Sequence, residues 1–226
     1  MRVQPYLNWL SENYDTARAS AIAQQTNFKG GWEGWLQVEI AMTFLEKNEA
    51  QTCTREVPYP APAFGQSSGQ YITKDGTYTD NANAAARADF MLQRTGGSVD
   101  ETYVELKCSN FKEGGNAVSD AWKRFFDDVQ KITNVQAANK SLNCIATVCY
   151  YGSLPLATDG TNVTLAGLPA AWYSDKRRTY VWYCGVPFSP GYNSAVQSID
   201  TVAAAFKSDG QVYTGLLMVG LSPTLD

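Results

Sequence analysis

The stretch that decides the fold runs from Asp89-Phe-Met-Leu92, through the glycine pair Gly96-Gly97, to Tyr103-Val-Glu-Leu-Lys107. Paired glycines between two runs of apolar and aromatic residues predict a β-hairpin. Asp89 and Glu105 lie at equal distances along the chain from Gly97. A hairpin centred there brings the two acids opposite each other, with Cβ atoms about 5 Å apart. This prediction depends on the register, since a slip of one residue moves a side chain to the other face.

The same hairpin predicts a metal site. Side chains alternate between the faces of a strand, so Glu105 and Lys107 share one face and lie about 7 Å apart. Two carboxylates as close as Asp89 and Glu105 repel each other unless a cation lies between them or one takes up a proton. Oxygen-rich sites of this kind suit Mg²⁺ or Mn²⁺.

The composition indicates one ordered domain. The chain has 226 residues, of which 44% are hydrophobic and 12% aromatic, and we expect residues 1–226 to share one core. No apolar run approaches the length of about 20 residues that spans a bilayer, and the N-terminus lacks the apolar segment of a secretory signal. Five cysteines without a Cys-x-x-Cys pair fit a reducing compartment. We therefore expect a cytoplasmic protein without a membrane partner.

The absence of histidine excludes several kinds of chemistry. With no histidine in the chain, Ser-His-Asp and Cys-His catalysis and His-ligated zinc are all excluded. A site of carboxylates and lysine remains open to this chain. The net charge of −4 argues only weakly against a nucleic-acid partner, because net charge does not report local patches.

The hydrophobic pattern along the chain predicts alternating helices and strands. Residues 60–84 are rich in Pro, Gly, Ser and Asn, and their length favours a lid or a small hairpin around Gln70–Thr73. We predict helices at 4–24, 32–47 and 120–132, and strands at 53–59, 86–94, 101–108, 143–151, 179–186 and 212–219. The mixed order indicates an α/β protein whose central mixed sheet is flanked by helices. The cysteines at 108, 144, 149 and 184 fall in apolar runs and are expected to lie in the core.

With these elements in place, the chain resembles the PD-(D/E)XK, or restriction-endonuclease-like, nuclease superfamily. Its αβββαβ core corresponds to residues 32–151, and residues 152–226 form a C-terminal extension with extra strands. The resemblance implies that Asp89 and Glu105 bind the metal and that Lys107 positions the attacking water. The residue before Asp89 is Ala88 rather than proline, which is a departure from the usual motif.

The resemblance also implies a fourth site residue. Many relatives carry a glutamate in the helix before the first core strand, and Glu39 is predicted to take that place as a third metal ligand. A carboxylate on a largely apolar helix is costly unless a cation balances it. The alternative for Glu39 is an internal salt bridge, for instance to Lys107. Glu33 lies on a different face of this helix and is not included.

Further residues are candidates for the rim of the site or for contact with substrate. Relatives place a Gln or Lys of the second core helix near the metal, which favours Gln130, and Lys123, Arg124 and Lys131 lie on the same helix. The alternative is a solvated helix face with an Asp127–Lys131 pair. Arg177 and Arg178, with Lys176, form a cationic triplet among aromatic residues, a pattern found where nucleic-acid strands bind. A basic turn beside a buried strand is equally compatible with that triplet.

These features predict a metal-dependent nuclease that hydrolyses DNA phosphodiester bonds, with Mg²⁺ or Mn²⁺ as cofactor. The alternatives are a catalytically inactive binding or immunity module of the same fold, a metal-independent glycan hydrolase, and action on RNA. Many relatives dimerise to cut both strands, so a homodimer through the aromatic-rich C-terminal third is compatible with the resemblance. Restriction, phage, toxin and repair roles stay open.

Overall fold

The computed structural model describes residues 3–23, 31–62, 69–94, 101–110, 117–153, 156–158, 163–165, 179–186, 197–198 and 214–221. The helices in these ranges are α1 (Val3–Asn13), α2 (Thr16–Ala23), α3 (Gly31–Glu46) and α4 (Ala117–Ala138). The strands are β1 (Ala50–Pro58), β2 (Tyr71–Ile72), β3 (Tyr78–Thr79), β4 (Arg87–Arg94), β5 (Glu101–Asn110), β6 (Asn143–Ser153), β7 (Leu156–Thr158), β8 (Val163–Leu165), β9 (Thr179–Val186), β10 (Gln197–Ser198) and β11 (Thr214–Leu221).

The predicted hairpin register is confirmed. Strand β4 pairs antiparallel with β5, and Phe90 faces Val104 while Gln93 faces Glu101. This is the register expected for a hairpin centred on Gly97, although the turn itself, residues 95–100, lies outside the described residues.

A mixed seven-stranded sheet forms the centre of the molecule, in the order β1-β4-β5-β6-β11-β9-β10. Strands β1, β4 and β5 form an antiparallel meander, and α4 then crosses over to β6, which runs parallel to β5. The α/β class with a mixed, helix-flanked sheet is confirmed, and C-terminal strands extend the same sheet beyond β6. Leaving aside the β2–β3 ribbon, the order from α3 to β6 is αβββαβ, as the sequence predicts.

Helices cover both faces of this sheet. Successive side chains of β5 and β6 point to opposite faces, so each strand contributes to two separate cores. One face packs against α4, and its core includes Tyr103, Ala146 and Val148 with Phe125, Ile132 and Val135. The other face packs against α1 and α3, and its core includes Val104, Leu106 and Ile145 with Leu7, Leu10, Leu36, Ile40 and Phe44. The free thiols of Cys108, Cys144 and Cys149 are buried, as predicted; the side chain of Cys184 lies outside the described residues.

The predicted helix at 4–24 is two helices. The side chain of Asp15 accepts a hydrogen bond from the backbone N–H of Arg18, at 2.9 Å. Asp15 thus caps the N-terminus of α2. This cap begins a second helix at a place where the spacing of the apolar residues alone predicts one continuous helix. Gly220 of β11 lies under α1, where an added Cβ would come within 2.5 Å of Val3, so glycine permits this close approach.

The small hairpin predicted near residue 70 is the β2–β3 ribbon. It docks on the C-terminal half of α4, where the Asn134 side chain donates to the Lys74 carbonyl at 3.0 Å and the Tyr78 hydroxyl donates to the Ala138 carbonyl at 2.9 Å. Gly76, with φ of 84°, makes the turn beside Asn134. Among the described residues, no helix is both long and apolar enough to cross a membrane.

Candidate functional site

The site begins where the β4–β5 ladder ends. The backbones of the two strands pair from Phe90 and Val104 toward the turn. Just outside this paired region, the side chain of Asp89 in β4 bonds to the backbone of β5 in place of a main-chain partner. Asp89 Oδ2 accepts the backbone N–H of Leu106 at 2.7 Å and the ammonium of Lys107 at 3.1 Å. These two bonds hold one oxygen of Asp89, and the carboxylate is thereby fixed in orientation.

Glu105 is the most buried acid of the site, with 1% of its side chain exposed. Its Oε1 accepts the Tyr59 hydroxyl at 2.6 Å and lies 2.7 Å from Lys131 Nζ. Among the described residues, its Oε2 is buried and has no hydrogen-bond partner. Burial raises the pKa of Glu105 to about 8; Asp128 and Asp89 add to this rise, and Lys131 opposes it. An acid left in this state favours either a proton or a nearby cation.

Asp128 of α4 is a third acid that sequence analysis missed. Its Oδ1 lies 3.2 Å from Lys131 Nζ and its Oδ2 lies 3.1 Å from Lys107 Nζ. The Lys107 contact lacks hydrogen-bond alignment, so Oδ2 keeps accepting capacity. A signal existed in the sequence: Asp128 follows Phe125 by three residues and precedes Ile132 by four, which puts it on the buried stripe of the helix.

These three acids are grouped tightly enough to bind a cation. Asp89, Glu105 and Asp128 each offer one carboxylate oxygen, and these oxygens lie within 4.8 Å of one another. Oxygen ligands of an octahedral Mg²⁺ are about 3.0 Å apart when adjacent and about 4.2 Å apart when opposite, so the side chains would close around that ion on binding. Carboxylates are suitable donors for Mg²⁺ or Mn²⁺, and the unpartnered Glu105 Oε2 supplies an oxygen with no competing bond among the described residues.

Lys107 lies among four oxygens. In addition to Asp89 and Asp128, its ammonium is 3.3 Å from the Leu106 carbonyl and 3.8 Å from Glu33 Oε1. Burial alone would lower the pKa of Lys107, but Asp128, Asp89 and Glu33 together hold it above its usual value. Lys107 is therefore a fixed positive charge and not a general base.

Glu33 reaches this site, contrary to the expectation from its helix face. Its Oε2 accepts the backbone N–H of Cys108 at 3.1 Å and lies 3.3 Å from Arg124. Burial raises the pKa of Glu33, while Lys107, the Cys108 amide and Arg124 oppose the rise. Helical periodicity separates Glu33 from Glu39 correctly, but it does not show which turn of α3 meets the end of β5.

Glu39, the predicted third ligand, is not brought to the cluster. It forms an ion pair with Arg18 of α2 at 2.9 Å. The reason is tertiary: α2 packs beside α3 and offers a cation on that side. Of the two predictions for Glu39, the salt bridge is the one seen, with Arg18 as partner in place of Lys107.

The rim candidates differ in how close they lie to the cluster. Gln130 is exposed and donates to Asn134 at 2.9 Å, and Lys123 is exposed, so neither joins the cluster. Arg124 lies at its edge, where it contacts Glu33 and donates to the Cys108 carbonyl at 3.2 Å.

Lys131, a rim candidate whose alternative is a solvated pair with Asp127, lies inside the cluster and pairs with Glu105 and Asp128. Burial alone would lower the pKa of Lys131, but Glu105 and Asp128 raise it. Arg177 and Arg178 lie outside the described residues.

Comparison with known proteins does not assign this chain to a family. The chain matches no protein-family model, and no curated protein or solved structure is significantly similar to it.

Proposed function

We propose that this protein is a divalent-metal-dependent nuclease that hydrolyses DNA phosphodiester bonds, with a restriction-endonuclease-like core. The observation that carries the proposal is the meeting of three carboxylates, Asp89, Glu105 and Asp128, within 4.8 Å of one another. Glu105 Oε2 is buried there without a hydrogen-bond partner among the described residues. Lys131 and Tyr59 already occupy its other oxygen, so Oε2 is the oxygen left to take a metal ion or a proton.

The three acids would hold the ion, and the residues around them have separate tasks. Mg²⁺, when bound, polarises a phosphoryl oxygen and lowers the pKa of coordinated water. Tyr59 orients Glu105 through the bond to Oε1, which would leave Oε2 available to hold the ion. Lys107, a permanent cation beside Asp89 and Asp128, would orient the attacking water and stabilise the negative charge that develops on the phosphate.

Arg124 supplies a phosphate contact at the edge of the cluster. About half of its side chain, 48%, is exposed, although it touches Glu33. A guanidinium so placed can bond a phosphate oxygen while it still contacts the protein. A DNA backbone would then cross the mouth of the site between Arg124 and Lys107. A homodimer that cuts both strands stays a prediction.

Two other functions are weighed against this one. A glycan hydrolase needs its two acids to touch the sugar, and Glu105, with 1% of its side chain exposed, is poorly placed for that. A non-catalytic module of the same fold has one observation in its favour: Lys107 and Lys131 already neutralise most of the acidic charge.

Cleavage of supercoiled plasmid and of single-stranded DNA and RNA tests the proposal. With Mg²⁺ or Mn²⁺ we expect cutting of DNA that EDTA abolishes and that Glu105→Gln and Lys107→Met lack. Lys140→Met removes an exposed lysine and should cut like the wild type. DNA binding without cutting by any of these proteins would support the non-catalytic module, and cutting in EDTA would overturn the metal-dependent mechanism.

A further inference from the structure

The two lysines of the cluster contact different carboxylate oxygens. Lys131 Nζ lies 2.7 Å from Glu105 Oε1 and 3.2 Å from Asp128 Oδ1, and it donates to the Arg87 carbonyl at 3.2 Å. Lys107 Nζ lies 3.1 Å from Asp89 Oδ2 and 3.1 Å from Asp128 Oδ2. Of the two lysines, Lys131 is the one paired with Glu105, the most buried acid.

The positions of the oxygens show what Lys131 does to the acids. It bridges one oxygen of Glu105 and one oxygen of Asp128, in the manner of a metal ion shared by two carboxylates. The other oxygens of the same two residues, Glu105 Oε2 and Asp128 Oδ2, are buried and lack hydrogen bonds among the described residues. Lys131 therefore fills one cation position between Glu105 and Asp128. The oxygens left for a divalent ion are Glu105 Oε2, Asp128 Oδ2 and those of Asp89, and Lys107 already lies 3.1 Å from Asp128 Oδ2 and Asp89 Oδ2.

The net charge of the cluster also favours one divalent ion over two. When all are ionised, the three carboxylates and two ammonium groups leave the cluster with a single excess negative charge. One divalent ion turns that excess into a single positive charge, which a phosphate would balance. A second divalent ion would add two more positive charges in a buried space, at a large electrostatic cost.

We propose that Lys131 is a built-in substitute for a second metal ion and restricts the site to one divalent cation per chain. Many phosphodiester-cleaving sites use two ions about 3.5–4 Å apart, and here the ammonium of Lys131 takes the place of one of them. Lys131 is a positioning residue, since it acts through Glu105 and Asp128. This inference rests on the proposed metal-dependent function and adds the number of ions and the residue that sets it.

Titration of the whole chain with Mn²⁺, followed by calorimetry and by electron paramagnetic resonance, tests this. We expect one Mn²⁺ per wild-type chain. Lys131→Met, which keeps the length of the side chain without its charge, should bind two, with the spectrum of two coupled ions. Lys131→Arg should stay at one and keep activity, and so should Lys123→Met, which removes an exposed lysine from the same helix.

The outcomes separate this inference from the proposed function. Two ions in the wild type, or a single ion in Lys131→Met, would overturn the role of Lys131 and leave metal-dependent cleavage standing. No Mn²⁺ bound by the wild type would overturn the metal site itself, and both proposals with it. If Lys131→Met does not fold, Lys131→Gln takes its place. The wild type needs no substitution for its part of the test: two Mn²⁺ ions per wild-type chain would contradict the inference.

Discussion

The two faces of strand β5 have opposite characters although they alternate residue by residue. Toward α1 and α3 it presents Val104 and Leu106, which join an apolar core with Leu36, Ile40 and Phe44. Toward α4 it presents Glu105 and Lys107, which meet Asp128 and Lys131. One face of β5 therefore buries hydrocarbon, and the other buries charge beside an apolar cluster that includes Tyr103.

The difference shows how the fold can accommodate an expensive site. Burying apolar side chains stabilises a fold by about 25 cal/mol per Å², whereas buried ion pairs contribute little net stability and are often less favourable than apolar residues. We infer that the apolar clusters on both faces stabilise the sheet and that the charged cluster within the α4 face is retained for function. If so, changes on the charged face should affect activity most, and changes on the apolar face should affect stability most.

The largest expected effect is on activity, from Asp128→Asn. Loss of a group that only orients a metal ligand costs about 10–100-fold. Because Asp128 would bind the metal directly, we expect DNA cleavage to fall by about 100-fold, the upper end of that range. The neighbouring Asp127 is exposed, and Asp127→Asn should cleave at the wild-type rate. Initial rates at saturating Mg²⁺ compare the two variants, and equal rates would remove Asp128 from the site.

The next effect is on stability, from Leu106→Ala. Leu106 is fully buried on the apolar face, and truncating a buried leucine costs about 2–5 kcal/mol of unfolding free energy. Lys107→Arg, one residue away on the charged face, keeps the positive charge that balances the acids and should cost much less stability while it lowers activity. Urea unfolding measures both variants, and a larger loss for Lys107→Arg would reverse the proposed division of tasks.

A smaller effect concerns pH. Because the pKa of Glu105 rises from 4.5 to about 8 on folding, the folded state favours the protonated acid. Its contribution to stability is complete below pH 4.5 and is lost as the pH rises to 8. In EDTA, the melting temperature of the wild type should therefore fall relative to Glu105→Gln across this range. Mg²⁺ should reduce the difference near pH 8, since it binds the ionised acid. Parallel melting curves would show that Glu105 does not titrate there.

The smallest effect is expected from Glu39→Gln. Its partner Arg18 has 60% of its side chain exposed, and such pairs contribute about 0–1 kcal/mol. Thermal melting should change by no more than this, and DNA cleavage should be unaltered. A strong loss of cleavage would return Glu39 to the catalytic group that sequence analysis predicted.

Sequence analysis found the hairpin, its register and the pair Asp89 and Glu105 because all three follow from local rules. A glycine pair marks the turn, and the alternation of the strand then settles which side chains share a face. The helix around Asp128 was also predicted, but the acid was passed over, although its spacing from Phe125 and Ile132 marks the buried stripe. Glu33 and Tyr59 had no local signal, since each comes from an element distant in sequence.

By itself, the sequence determined the order of the main elements from α3 to β6, the pairing of β4 with β5, and the common face of Glu105 and Lys107. Only the tertiary structure decided that Asp128, Lys131 and Glu33 complete the cluster and that Glu39 pairs with Arg18 instead. The physical reason is the distance along the chain over which each kind of interaction acts. Hydrogen bonds and side-chain alternation within a hairpin act between near neighbours, whereas the approach of α3 and α4 to β5 depends on how all the buried side chains pack together.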